Sequence, residues 1–203
     1  MVAGSPTVVT QGTTTPLYVN NVLEGSMYFA WYPITLASNT DKWGGYFTVP
    51  VPRAGQTFST LAPSPPDLVS AAGGLFMCAG CADNNANKGY FFGGVTLSVE
   101  RTSAGLKATC SIALPPAGSS TSKGVVLSSA VEELHLYASY DILATGAPGQ
   151  WPKPDSITPA VGSVGPGSIL TATETVGGTP SGVIYLACHL KTTTCFAPSS
   201  YGY

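Results

Sequence analysis

The sequence has few charged side chains for its length. Of 203 residues, 8 are Lys or Arg and 10 are Asp or Glu, so the charged fraction is 9%. Soluble domains usually carry about 25%. The formal net charge is only −2, and repulsion between copies is therefore weak. A surface kept soluble mainly by Ser, Thr, Asn and backbone groups is typical of a protein that lies in an assembly or against another surface.

The few basic residues are too scattered for a nucleic-acid interface, which needs Lys and Arg clustered on one face. They stand at Lys42, Arg53, Lys88, Arg101, Lys107, Lys123, Lys153 and Lys191. We therefore expect no binding to nucleic acid. The long uncharged stretch 156–173 is interrupted by Gly and Pro every few positions. It cannot form a membrane-spanning helix of about 20 residues, so we expect no membrane insertion.

Residue types that carry catalysis are also scarce. The chain has two histidines, and His135 is separated from Asp141 on the same strand face by about 20 Å, too far for a catalytic dyad. No nucleophile elbow, phosphate-binding glycine loop or zinc-helix motif is present. We predict that the chain is not an enzyme and has no catalytic residues, cofactor or resident metal. From Asp83 onward, Asp and Asn side chains place oxygen atoms at alternate positions, as in calcium-binding loops. The Glu that closes such a loop is missing, so we interpret the segment as a turn, with a bound cation as the alternative.

Five cysteines occur, at positions 78, 81, 110, 188 and 195. The odd number leaves at least one thiol unpaired and favours a reducing site of synthesis. The pair Cys78 and Cys81 has the spacing of half a zinc site, but no second half follows, so we interpret both as small buried or loop residues. A bridge between Cys188 and Cys195, around a turn at residues 192–194, is the alternative pairing that the spacing allows.

Alternating apolar and polar residues predict strands, and no long window of helical period occurs. The predicted strands cover residues 29–36, 45–51, 94–101, 106–114, 134–143 and 183–190. In the fifth, the even-numbered positions from Leu134 to Ile142 form an apolar face and the odd-numbered positions a face typical of contact with solvent. We predict an all-β fold, an antiparallel β-sandwich or jelly-roll-like domain. It spans residues 1–203 as one domain, and position 148 in a Pro-rich loop is the candidate for an internal boundary.

Aromatic side chains beside turns are the candidate binding residues. Such rings are either core and hairpin pairs or exposed contacts next to Asn, Asp and Thr. Trp43 adjoins the turn 39–42, Tyr90 follows the Asn-rich turn, Trp151 lies in the Pro-rich loop and Tyr201 is near the end. We predict Trp43, Tyr90, Trp151 and Tyr201 as surface contacts.

The run Leu136–Leu143, closed by Pro148, resembles the strand that ends a jelly-roll module in capsid proteins of small non-enveloped RNA viruses. The abundance of Ser, Thr, Gly and Pro and the low charge are similar too. Two features depart from that family: the Arg-rich arm that packages the genome is absent, and no shell-domain sequence is evident before residue 130. Both departures fit the outward protruding domain of such a capsid protein.

The resemblance implies a structural protein on the virion surface. It implies a protruding domain that forms dimers or trimers with copies of itself and attaches to a host-cell receptor or glycan. The competing hypothesis is a secreted or phage-borne β-sandwich module that binds carbohydrate through an aromatic platform.

Overall fold

The computed structural model describes residues 2–4, 6–8, 29–33, 44–60, 75–79, 90–121, 124–151, 155–157 and 164–197. Thirteen strands and a short 3-10 turn at Pro148–Gln150 make up most of these ranges. The strands are β1 Val2–Gly4, β2 Pro6–Val8, β3 Ala30–Pro33, β4 Gly45–Pro50, β5 Thr57–Ser59, β6 Leu75–Ala79, β7 Tyr90–Thr102, β8 Gly105–Ala113, β9 Ser120–Thr121, β10 Gly124–Ser139, β11 Asp155–Ile157, β12 Ile169–Thr175 and β13 Val183–Ala197. Among the described residues, no helix has the length and apolar character needed to cross a membrane.

The strands join into one hydrogen-bonded antiparallel sheet with the order β11-β10-β13-β2-β6-β7-β8-β12. β4 pairs with β13 and carries β3 on its other side, while β1, β5 and β9 add short pairings to β13, β7 and β10. The sheet folds over so that its two halves face each other across a shared core. The predicted all-β antiparallel sandwich is thus confirmed. Strands from both sides of position 148 lie in this sheet.

The core consists of alternate residues of the long strands. In β8, burial alternates along the whole strand, as expected when one face is covered and the other is not. Both layers contribute side chains with almost no exposed surface, including Val95, Leu97 and Val99 of β7, Ala108, Cys110 and Ile112 of β8, Leu134 and Leu136 of β10, and Ile184, Leu186 and Leu190 of β13. Apolar surface removed from water between these strands is therefore the main stabilisation of the fold.

The hairpin between β7 and β8 has a two-residue turn. Arg101 pairs with Leu106 and Thr102 with Gly105, which leaves Ser103 and Ala104 as the turn residues. The hydroxyl of Thr102 donates to the carbonyl of Gly105 over 2.9 Å, and the Ala104 N–H donates back to that hydroxyl over 3.2 Å. Gly105 has φ +132°, which a residue with a side chain rarely adopts.

A disulfide between Cys110 of β8 and Cys188 of β13 joins the two layers through the core. Both residues are buried and belong to the main apolar cluster. The alternative bridge between Cys188 and Cys195 is wrong, because both lie in the continuous strand β13. Seven residues of extended chain separate them by about 23 Å. A buried disulfide is typical of proteins that mature under oxidising conditions, contrary to the expected reducing site of synthesis.

Strand β13 is longer than predicted and does not turn at residues 192–194. Thr192 and Thr194 are buried polar residues in the middle of the sheet. The Thr192 hydroxyl donates to the Ala130 carbonyl over 2.8 Å. Threonine suits a pleated strand because its β-branched side chain packs well there, and the turn that the alternative bridge required at residues 192–194 is wrong.

The sheet closes on itself where β10 ends. Gly177, just after β12, accepts a hydrogen bond from the Tyr140 N–H at 2.9 Å and donates one to the Ala138 carbonyl at 3.3 Å. This parallel bridge occupies the edge of β10 beyond its pairing with β11. The predicted strand 134–143 accordingly stops at Ser139, because the chain turns at Tyr140 and Asp141.

Candidate functional site

Two bulges decide which side chains of β10 point away from the core. Relative to β13, β10 has an extra residue at Leu127 and another at Glu132. Each extra residue reverses the inward and outward alternation. We call the side facing away from the core the outer face. Its opposed pairs are Val125 and Ala197, Ser128 and Cys195, Ala130 and Thr193, Glu133 and Lys191, His135 and His189, Tyr137 and Ala187, and Ser139 and Tyr185.

One end of the outer face is uncharged and open to solvent. Leu127 at the first bulge is 56% exposed and Val125 is 36% exposed, so two aliphatic side chains close in sequence face solvent. Small or uncharged residues surround them, namely Ser128, Ala130, Thr193, Cys195 and Ala197. We call these seven residues the apolar strip. Cys195 is a free, half-buried thiol within it.

A compact charged cluster borders the apolar strip. The Lys191 ammonium lies 2.9 Å from one carboxylate oxygen of Glu132 and 3.9 Å from Glu133. The Thr193 hydroxyl donates to Glu132 over 2.8 Å. These hydrogen bonds lower the pKa of Glu132, and the bond to Glu132 raises the pKa of Lys191. Both groups are solvated, so the ion pair adds little stability and instead keeps charge at the border.

The two histidines lie side by side beyond this cluster. His135 and His189 are directly opposed in register, and their ring centroids are 5.8 Å apart. The Nε2 atom of His135 is 2.9 Å from a carboxylate oxygen of Glu133. The Nδ1 atoms of both rings are buried without a hydrogen-bond partner. Burial, and secondarily the neighbouring His135, lowers the pKa of His189 from 6.5 to about 4.

Histidine with a carboxylate partner is a common acid–base arrangement, but catalysis also requires a nucleophile or a bound water within reach. Within the described ranges, no hydroxyl or thiol hydrogen-bonds to either imidazole, and no three side chains form a metal site. From the sequence, only Asp141 was considered as a partner of His135, and Glu133 was missed. Glu133 and His135 are two positions apart, which places them on the same face of the strand. That the chain is not an enzyme stays a prediction.

Trp151 covers His135 and Tyr137 rather than facing solvent. Its indole is 5% exposed and packs edge-on against Tyr137 and His135, with centroid distances of 6.0 and 6.4 Å. The indole N–H donates to the Thr145 carbonyl over 3.0 Å. The prediction of Trp151 as a surface contact is therefore wrong, because a Pro-rich loop can fold back and use its ring as an anchor. For the same reason the odd-numbered face of β10 is not a solvent face.

At the far end of the outer face, three tyrosines form a row. Tyr32 of β3 stacks on Tyr46 of β4 at 5.7 Å, and Tyr46 contacts Tyr185 of β13 at 5.8 Å. Tyr32 is 45% exposed and ends the row. Partial burial, followed by the proximity of Tyr185 and Tyr32, raises the pKa of Tyr46. We call these three rings the tyrosine row.

The other predicted contacts are not brought into this surface by the described structure. Trp43 and Tyr201 lie outside the described residues, as does the turn at Asp83. Tyr90 begins β7, where its backbone pairs with Ala79, and its side chain is not among those described. Leu127 and Tyr185 were missed, because only the bulge and the strand pairing place them on one face.

No protein-family model, curated protein or solved structure matches this chain.

Proposed function

We propose that this chain is a structural recognition domain of the protruding kind found on capsids of small non-enveloped RNA viruses. In this proposal it lies at the virion surface, associates with copies of itself and attaches to a host-cell receptor. The observation that carries the proposal is the apolar strip, an uncharged surface on β10 and β13 that is exposed at its β10 residues and half-buried at its β13 residues. The jelly-roll character implied by the resemblance belongs to the same proposal.

A second copy of the chain is the occupant that best fits the apolar strip. Isologous contacts bring the same patch of both copies together, so a patch without charge can meet itself without repulsion. β10 and β13 contribute only three charged residues, Glu132, Glu133 and Lys191. All three lie in the charged cluster at the border of the strip. This division into an apolar centre and a polar rim is the usual anatomy of a protein interface.

The substitution Leu127→Glu is expected to weaken self-association at least about 100-fold. A two-fold axis through the strip brings the two copies of residue 127 into one interface, so each carboxylate is desolvated near its equivalent. Like charges juxtaposed in an interface cost several kcal/mol, and tenfold in affinity corresponds to about 1.4 kcal/mol. Sedimentation equilibrium over a concentration series measures the change.

The matched control is Ile169→Glu, on β12. Ile169 is 72% exposed and lies outside the apolar strip, so the same change of side chain should leave the dissociation constant within about threefold. A strictly monomeric wild-type protein, or equal effects of the two substitutions, would contradict the assignment of the strip to self-association.

The tyrosine row supports a second candidate function, the binding of a neutral glycan. The apolar face of a sugar ring can stack on an aromatic ring whose other side is already supported, and Tyr46 supports Tyr32 in this way. A supported ring loses little conformational freedom on binding. This arrangement is the kind of aromatic platform expected for a carbohydrate-binding sandwich.

If the tyrosine row binds glycans, Tyr32→Ala should lower the affinity at least about tenfold, because truncating a central aromatic contact commonly costs more than 1 kcal/mol. Tyr32→Phe keeps the ring and should retain most of the binding. Saturation-transfer NMR on glycans selected from an array measures the glycan affinities of both variants. Undiminished binding by Tyr32→Ala would remove the tyrosine row as the glycan site.

A further inference from the structure

The histidine pair is the part of the outer face that is both titratable and covered. His135 is buried and His189 is half-buried with its Nδ1 atom shielded from solvent, and their opposed positions hold the rings close together. Because neither Nδ1 atom has a partner, a proton added there finds no acceptor. An unpartnered buried charge is far more costly than an unpartnered neutral nitrogen.

Only one described carboxylate contacts the pair to offset an added charge. It is Glu133, whose contact is with His135 and not with His189. The nearest described cation is Lys191 of β13, which is already paired with Glu132 and Glu133. Tyr137 of β10 and Trp151 of the covering loop are the aromatic neighbours. On the adjacent strands, the backbones of Ser156 and Asp155 of β11 oppose His135 and Leu136, and the backbone of Thr7 of β2 opposes His189. Lys153 lies outside the described residues. Two protonated rings at this separation would repel each other.

The covering loop, residues 141–151, is held on the outer face by uncharged contacts. The Tyr137 hydroxyl donates to the Asp141 carbonyl over 2.8 Å, and the Trp151 ring packs on Tyr137 and His135. Within the loop, the Ala147 N–H donates to the Thr145 hydroxyl over 3.1 Å. A small apolar cluster, formed by Tyr137, Leu143, Trp151 and Ala187, is separate from the main core. The loop can therefore leave without opening the sandwich.

We propose that His135 and His189 form an acid-sensitive latch, in which protonation of the pair releases the covering loop and Trp151 while the sandwich stays folded. Release lets water reach the imidazoles and solvates their charge. The strands beneath remain joined by the disulfide and the main core. The latch depends only on these residues and not on the proposed capsid function.

The direction of the pH response follows from the pKa of His189, which burial and His135 lower to about 4 in the closed form. In the released form it should return toward its ordinary value of 6.5. The closed form binds the proton less tightly than the released form. Its stability relative to the released form is therefore fully present above pH 6.5 and is lost as the pH falls from 6.5 to 4. The opening equilibrium should rise by up to about tenfold per pH unit in the middle of this range, and roughly 80-fold between pH 6.5 and pH 4.

The test follows Trp151 in the full chain by ¹⁹F NMR after labelling with 5-fluorotryptophan. The Trp151 resonance is the one that disappears in Trp151→Phe. Between pH 6.5 and 4 it should move reversibly toward the position of a solvated indole, while far-ultraviolet circular dichroism stays unchanged. Simultaneous loss of the circular dichroism signal would show general acid unfolding and would overturn the latch.

The variants His189→Gln and His135→Gln remove one titrating group each and keep a polar side chain. His189→Gln should suppress the acid-induced movement of Trp151 at least tenfold. His135→Gln should reduce it, because it removes the imidazole that Trp151 contacts and the neighbour that helps to lower the pKa of His189. The latch is wrong if both variants respond to pH like the wild type. Should a variant fail to fold, proton NMR titration of the wild-type imidazoles decides: a His189 transition well below 6.5 that coincides with the Trp151 shift supports the latch, and separate transitions overturn it.

Discussion

The double variant Cys110→Ala/Cys188→Ala is expected to be less stable than the wild type by about 4 kcal/mol. The disulfide closes a loop with a sequence separation of 78 residues. The chain-entropy model gives about 4.5 kcal/mol for a loop of that length. For a protein of about 200 residues, this loss lowers the midpoint of thermal unfolding by about 8 to 16 °C. Chemical denaturation monitored by circular dichroism measures the free energy directly.

Substitution is preferable to a chemical reductant here, because it leaves the other cysteines unchanged. The control is Cys195→Ala, which removes a half-buried thiol that is not bonded to another cysteine. It should change the free energy of unfolding by no more than about 0.5 kcal/mol. If the double variant lost no more than this control, the disulfide would not be the tie between the two layers.

Gly93→Ala is expected to lower the free energy of unfolding by about 2 to 5 kcal/mol. Gly93 lies where β7 bulges against β6, with three residues of β7 spanning two of β6. Its φ is +85°, and an added Cβ would overlap the carbonyl oxygen of Ala113 and lie 3.4 Å from the carbonyl carbon. Left-handed backbone costs a residue with a side chain about 1 to 2 kcal/mol. The overlap adds about 1 to 3 kcal/mol more, because a backbone atom in a paired strand has little room to move.

Gly55→Ala isolates the contribution of the backbone angle. Gly55 has φ +73°, but no atom lies within 4 Å of the position an added Cβ would take. This variant should lose about 1 kcal/mol, and urea titrations of both proteins give the comparison. Equal losses would mean that the overlap at Gly93 is relieved and that only the angle matters.

The strands with strict alternation could be predicted from sequence with good bounds. The predicted strand 106–114 differs by one residue at each end from β8 at Gly105–Ala113, and the predicted strand 94–101 lies within β7. These strands share one buried face along their full length, so a period of two is visible in the residues themselves. Burial on the inner face of β10 from Leu134 to Ala138 was predictable for the same reason.

The remainder of β10 was not predictable, because two non-local effects hide its pattern. The bulges at Leu127 and Glu132 shift the alternation, so Ser129 and Val131 share the inner side with Leu134. On the other side, a loop that begins after the strand covers His135 and Tyr137. A periodic pattern reports neither an extra residue in one strand nor a later segment that covers a face.

The candidate site could be predicted only in part. Aromatic side chains beside turns were predicted as the candidate contacts, and Tyr32 and Tyr46 are adjacent across a strand pair. Their third member, Tyr185, comes from the end of the chain through the pairing of β13 with β4. Similarly, the Cys110 to Cys188 bond follows from the folding of one layer over the other, which no cysteine spacing reveals.

The bridge from Gly177 to the end of β10 also bears on how copies of the protein can associate. Open strand edges are templates on which further chains add, as in amyloid growth. Along the edge of β10 away from β13, β9 pairs near the beginning, β11 beyond the second bulge, and Gly177 at the end. The addition of a further strand is thereby obstructed at these three places.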